Sequence, residues 1–228
     1  MKIKWGALVV DGRGKIGGQV ASKNRSGAYL RTKVTPVNAQ TTFQQAVRSR
    51  LADLSSAWRS LTQAQRDAWD GAVSSFAKTN IFGDLVNPTG KNLHNGLNQN
   101  LLNTGNAQLS APVSPVGIVE PGATTATVTD ATTTESCEIE ITTIDADQDY
   151  IVFGTAQVSP GINFFKNRYR QIMVHPGTGT TTIDALAAYK AKFGAPVAGR
   201  KASFKVVPVN STSGQAGVGS SANAITTV

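Results

Sequence analysis

Residues 41–77 read TTFQQAVRSRLADLSSAWRSLTQAQRDAWDGAVSSFA. Phe43, Val47, Leu51, Leu54, Trp58 and Leu61 follow one another at gaps of 4, 4, 3, 4 and 3 residues, the spacing of one face of a helix with 3.6 residues per turn. Thr41 with Gln44 predicts a capping box, in which each side chain satisfies a backbone N–H of the other residue. Thr62 with Gln65 repeats the device, so a second helix begins almost where the first ends. It runs to about Ala77 with Trp69, Val73 and Phe76 on one face. A link this short predicts an antiparallel helical hairpin, with Trp58 and Trp69 packed near its closed end.

On the N-terminal side the texture is extended and cationic. Residues 3–10 predict a strand and residues 11–18, DGRGKIGG, a flexible turn. Residues 19–23 and 28–34 then flank Asn24-Arg25-Ser26-Gly27, two short runs around a turn that read as a β-hairpin. Pro36 ends it, because the residue before proline is pushed toward extended geometry. On the C-terminal side, residues 79–111 are rich in Asn, Gly, Thr and Gln and read as a connector, with one short helix over Lys91–Leu102. Beyond Pro112, Cys137, Ile139 and Ile141 alternate with Glu138, Glu140 and Thr142, a half-buried strand. Further strands are expected at 123–129, 150–158, 169–174, 202–209 and 222–228. That density of short strands predicts a β-sandwich, with one helix over Asp184–Phe193, capped by Asp184, ended by Gly194 and inserted at an edge. The fold class is therefore α+β: an extended arm and β-hairpin over 1–40, a helical hairpin over 41–78, a connector over 79–111 and a β-sandwich domain over 112–228.

Charge divides the chain more sharply than hydropathy does. The net charge is +8. Residues 1–50 hold ten Lys or Arg and one acid, Asp11; residues 51–110 hold four of each sign; residues 111–228 hold eight bases and nine acids. The whole excess lies at the front, which implies an acidic partner for the arm. The candidate partner-binding residues are Arg13, Lys15, Lys23, Arg25, Arg31 and Lys33, with Tyr29 among them. Nucleic acid would meet these cations through its phosphates and Tyr29 by stacking. One aromatic among six cations, with no accompanying recognition motif, favours docking onto an acidic protein surface instead. Cys137 is the only cysteine, so an internal disulfide is excluded. The apolar run 5–10 is too short for a signal peptide, and no stretch approaches the ~20 apolar residues of a membrane span.

The chemical motifs are incomplete. Gly12-Arg13-Gly14-Lys15-Ile16-Gly17 matches G-x-G-x-x-G, but a strand rather than a helix is expected after it, and no acid occurs between Asp11 and Asp53 to hold a ribose. Asp145-Ala146-Asp147-Gln148-Asp149 begins like a calcium loop, yet Tyr150 and Ala156 stand where an EF-hand needs Gly and Glu; an acidic solvated turn is the simpler reading. His94 and His175 are isolated, and Cys137 falls on the inward side of its strand, where it would be an inert small hydrophobe. No catalytic residue, cofactor or metal is expected, and the chain reads as a non-enzyme.

Three segments carry a resemblance. Residues 17–31, GGQVASKNRSGAYLR, followed by Thr35-Pro36-Val37-Asn38, and Ala57-Trp58-Arg59-Ser60-Leu61-Thr62 with Gln65-Arg66-Asp67-Ala68-Trp69, resemble a family of uncharacterised tailed-phage and prophage structural proteins. The C-terminal half, with residues 189–194 before a long strand and Ser211, Gly214, Gln215 and Gly217, is similar to the fibronectin III or Ig-like modules attached to virion proteins. The resemblance implies a virion structural protein, a head decoration protein, head-fibre base or neck or tail component, made in the host cytoplasm. The arm and hairpin would dock onto other virion proteins, capsid or neck and tail subunits, and the β domain would be displayed. It implies assembly into a particle and no catalytic residues, with the arm from Lys15 to Lys33 binding neighbours by strand addition and charge; the arm and the prevalence of symmetric assemblies point to a homo-oligomer, and the hydropathy to no membrane partner. Two other classes compete. One is a nucleic-acid-binding protein using the arm. The other is an adhesive or carbohydrate-binding β module, for which Tyr150, Phe153, Phe164, Phe165 and Tyr169 are the candidate aromatics.

Overall fold

A computed structural model describes residues 1–6, 11–24, 27–130 and 135–228. The front of the chain forms β1 (Lys2–Ile3), β2 (Gly14–Ile16), β3 (Gln19–Asn24) and β4 (Gly27–Thr32). They make one antiparallel sheet in the order β1-β4-β3-β2. The hairpin of β3 and β4 is where the sequence places it. The segment read as a flexible turn contains β2, and β1 covers only two residues of the strand expected at 3–10, of which residues 7–10 lie outside the described residues. The front is thus a small sheet rather than a free extended arm. Gly17 adopts φ 56° in the turn joining β2 to β3, and closing so short a loop costs little chain entropy, which favours pairing within the chain.

The helices α1 (Thr42–Ser60) and α2 (Gln63–Ala72) follow, with a 3-10 turn at Val73–Phe76. Thr41 accepts from the Gln44 amide, and Thr62 with Gln65 forms the full reciprocal box. A hairpin of β5 (Lys78–Thr79) and β6 (Leu85–Val86) leads to α3 (Gly90–Thr104). The expected connector helix is therefore fifteen residues long. It is also the centre of the helical layer: α1 and α2 pack chiefly on α3 rather than on each other. The link Leu61–Thr62 is short, but α2 and the C-terminal end of α1 pack their apolar residues against the third helix. Leu93, Leu97 and Leu101 of α3 are buried, with His94 and Asn98 among them. Trp69 is fully buried, whereas Trp58 is half-buried; their rings meet His94 edge-on at centroid distances of 5.2 and 5.3 Å.

The rest of the chain forms β7 (Thr124–Thr129), β8 (Ser136–Ile141), β9 (Gln148–Gly154), β10 (Arg170–Pro176), β11 (Thr182–Asp184), α4 (Leu186–Phe193), β12 (Lys201–Asn210) and β13 (Ser220–Ile225). Two antiparallel sheets, β11-β8-β7 and β10-β9-β12-β13, enclose one core. Cys137, Ile139, Ile141 and Ile183 come from the first; Tyr150, Val152, Phe204 and Val206 come from the second. The alternation in β8 is as read, with Glu138 and Glu140 outward. The helix after β11 is more than an edge insertion. Tyr189 of α4 is fully buried in the core, and its hydroxyl donates to the Thr155 carbonyl at 3.0 Å. The N-cap position is Ala185, without a side-chain cap, rather than the expected Asp184; Asp184, one residue earlier, accepts from the Leu186 amide at 3.0 Å.

α3 also joins the helical layer to the β sheets. Asn100 donates to the Gly214 carbonyl at 2.8 Å, Asn103 to Gln171 at 2.9 Å and Asn106 to Asp149 at 2.6 Å. At Gly214, φ is 69° and a Cβ would sit 2.3 Å from the Leu97 carbonyl oxygen, so only glycine allows this approach.

Candidate functional site

The predicted arm residues are sorted by the register of the front sheet. Lys15 lies opposite Val20, and Val20 opposite Arg31; Lys2 lies opposite Tyr29, and Tyr29 opposite Ser22. Residues directly opposite across antiparallel strands share a face, and positions two apart along a strand share it too. Lys2, Lys15, Tyr29 and Arg31 therefore present one face. Lys23 pairs with Ala28, which pairs with Ile3, so it belongs to the opposite face with Ala21 and Leu30. Lys33 follows β4, its amide bonded to the Gly18 carbonyl oxygen at 2.8 Å. Arg13 is engaged by Asp11 at 3.3 Å. Arg25 lies outside the described residues. Arg13, Lys23 and Arg25 thus fall into an ion pair, onto the opposite face or outside the described residues, and Lys2 joins Lys15, Tyr29 and Arg31 on the shared face, with Lys33 exposed just beyond the strand.

Lys2 also lines a cleft of about 610 Å³ between α3, the β5–β6 hairpin and residues 215–216. Lys78, Asn92, Asn100 and Gln215 face it as well. Among its described lining residues there is no carboxylate, imidazole or thiol, so it offers no group suited to proton transfer at neutral pH. Lys4, next along the chain, pairs with Asp84 at 3.3 Å. Asn80 and Lys4 hydrogen-bond the Asp84 carboxyl and hold it below its ordinary range.

The remaining chemical candidates are engaged structurally. Cys137 is fully buried, and burial, with the charge of Asp184, pushes its thiol up to about 12. His175 turns Nε2 to the Thr180 carbonyl at 2.9 Å. His94 is 1% exposed, and burial holds its imidazole below the ordinary value. In the Asp145–Asp149 turn, Asp145 accepts from the Asp147 amide and from Gln148, while Asp149 accepts from Asn106. Among the described residues no group of three metal-ligating side chains comes together. Of the aromatics weighed for adhesion, Tyr150 and Phe165 are buried, Phe153 and Tyr169 are half-buried, and Phe164 alone is exposed.

A second feature lies on α1. The apolar stripe of α1 is covered only at its C-terminal end: Leu54 is 0% exposed, but Leu51, Val47 and Phe43 are 51%, 56% and 68% exposed. The sequence shows the stripe but not that half of it lacks a partner; the local density of Arg48 and Arg50 was the available hint. No family model, no curated protein and no solved structure matches this chain.

Proposed function

We propose that the chain is a non-enzymatic virion structural protein of a tailed phage, a head decoration protein, head-fibre base or neck or tail component, which docks through its N-terminal third and displays its β domain. One observation carries this reading. The cationic face and the bare apolar stripe both lie within residues 1–51, while the C-terminal half closes on its own core. A soluble domain rarely leaves apolar side chains in a row unless something covers them. The register of the front sheet changes the docking mode: strand addition would extend the outer edge of β2, since the arm is already paired. We read the two sheets as an Ig/fibronectin III-like module. Their division, first, second and fifth strands against third, fourth, sixth and seventh, departs from the constant-type Ig arrangement at the fourth strand. Mass spectrometry of purified particles of the encoding phage tests the placement. The chain should be present in stoichiometric amount, and its absence overturns it.

The shared face of Lys2, Lys15, Arg31 and Tyr29 supports a second reading, binding of nucleic acid through phosphates with Tyr29 stacked on a base. Three neutralised phosphates on duplex DNA give a log–log salt slope of about −3. A salt titration with that slope, abolished by Lys15→Glu and Arg31→Glu, favours this reading over docking on protein.

A further inference from the structure

The N-terminal turns of α1 form a vacant helix seat. α3 runs antiparallel to α1: Trp58 packs on His94, and Arg50 Nη1 donates to Asn103 Oδ1 at 3.3 Å, nine residues further along α3. α3 ends one residue after Asn103, where Gly105 adopts the left-handed conformation and its amide caps the Leu101 carbonyl. Asn106 then turns toward Asp149. The part of the stripe that α3 covers holds Leu54, Trp58 and Leu61; the exposed part holds Leu51, level with its last turn, and Val47 and Phe43, beyond its end. These three span about 12 Å along the axis at 1.5 Å per residue, a ridge of the kind another helix packs into.

The rim of that seat is cationic. Arg48 and Arg50 stand one residue from Val47 and Leu51 and so flank the ridge on opposite sides. Lys192 Nζ lies 4.2 Å from the centroid of the Phe43 ring, over its face. All three cations have neutral partners: Arg48 donates to Asn38, Arg50 to Asn103 and Lys192 to the Gln171 carbonyl. Among the described residues, none is within ion-pair distance of a carboxylate. Self-pairing of this ridge would set Arg48 and Arg50 against their own copies. Nucleic acid would find phosphate partners at the rim but nothing for the ridge.

Resting on the reading of this end as the docking end, we propose that α1 receives an amphipathic helix of a different virion protein, apolar on the buried face and acidic on both flanks. The partner helix would continue the line of α3, its carboxylates meeting Arg48, Arg50 and Lys192. Such charge matching sets partner choice and encounter rate, and the ridge supplies the apolar contact.

The test uses the full chain and two labelled helical peptides of about 21 residues, both with leucine at a and d positions, one carrying glutamate at e and g and the other lysine. Fluorescence anisotropy should give at least tenfold tighter binding of the acidic peptide. The variant Phe43→Gln, Val47→Gln, Leu51→Gln should weaken that binding at least tenfold, with an unchanged circular dichroism spectrum. Equal affinity for both peptides, or no effect of the triple substitution, overturns the proposal. Dimerisation of the chain through the same three residues in sedimentation equilibrium also overturns it, in favour of a second copy. The two readings fail separately. A chain found in particles but indifferent to the acidic peptide keeps its virion role and loses the helix seat. A chain that binds the peptide through the ridge yet is absent from particles does the reverse.

Discussion

At the scale of single residues, Cys137 and His94 show how burial decides chemistry. The thiolate is the reactive form of cysteine, and the Cys137 thiol, pushed up to about 12 by burial first and by Asp184 second, scarcely forms it at pH 8. A native chain should not react with an aromatic disulfide reagent over an hour, and one equivalent should react after unfolding in guanidinium. Fast native labelling would mean that β8 opens readily. His94 gives a pH dependence. In the unfolded chain its ring takes up a proton near the ordinary 6.5, whereas burial lowers that value in the fold. Below 6.5 the unfolded state therefore binds more protons, and stability from this group, full above 6.5, is lost as pH falls through the lower folded value. Urea midpoints should be level from pH 7 to 8 and drop toward pH 5, and His94→Gln should flatten the drop. The inward placement of Cys137 was legible from the alternation of β8. The place of His94 between two tryptophans was not, because Trp58 and Trp69 gave no sign that their common neighbour lay 25 or more residues away in a polar stretch.

At the scale of elements, the two halves of one α1 stripe should behave oppositely. Leu54→Ala removes a fully buried side chain and should cost about 2–5 kcal/mol in chemical denaturation. Leu51→Ala, one turn earlier and half exposed, should fall within about 0.5 kcal/mol of the native chain. Equal losses would show that the ridge is covered within the chain. Trp69→Ala should cost about 3–5 kcal/mol, since the ring is fully buried and its Nε1 donates to the Ser110 carbonyl; Trp58, half-buried, should cost less. The long elements α1, α2, β8 and β12 were readable because a period repeats along each of them, though along α1 burial follows the pattern only at the C-terminal end. The strands of two or three residues, β1, β2, β5, β6 and β11, carry too few positions for a period to register. α3 was readable as a helix but not as the hub, because His94 and Asn98 interrupt its apolar stripe. Asn98 fits there by bonding the Leu109 amide and carbonyl at 2.6 and 3.2 Å, a contact across eleven residues that no periodicity encodes.

For the whole molecule, the question is whether the front sheet belongs to the fold or only travels with it. Its described contacts to the rest are few: the exposed Lys4–Asp84 pair, Lys4 over the Phe82 ring at 5.1 Å, and Lys2 at the cleft. Exposed pairs hold little stability, and the two-sheet core and the α1–α2–α3 layer are complete without residues 1–35. The chain lacking them should keep the thermal midpoint of the full protein within a few degrees. What it should lose is docking, since the residues removed hold most of the unmatched positive charge and β2, the outer strand of the sheet among the described residues. Incorporation into particles therefore separates two roles that stability cannot. A truncated chain that melts normally and still incorporates assigns docking to α1 alone. One that melts normally and is excluded gives the front sheet its own part in the interface. A collapse of the midpoint would mean that the sheet is structural, and that its charge is a solvated surface of the fold.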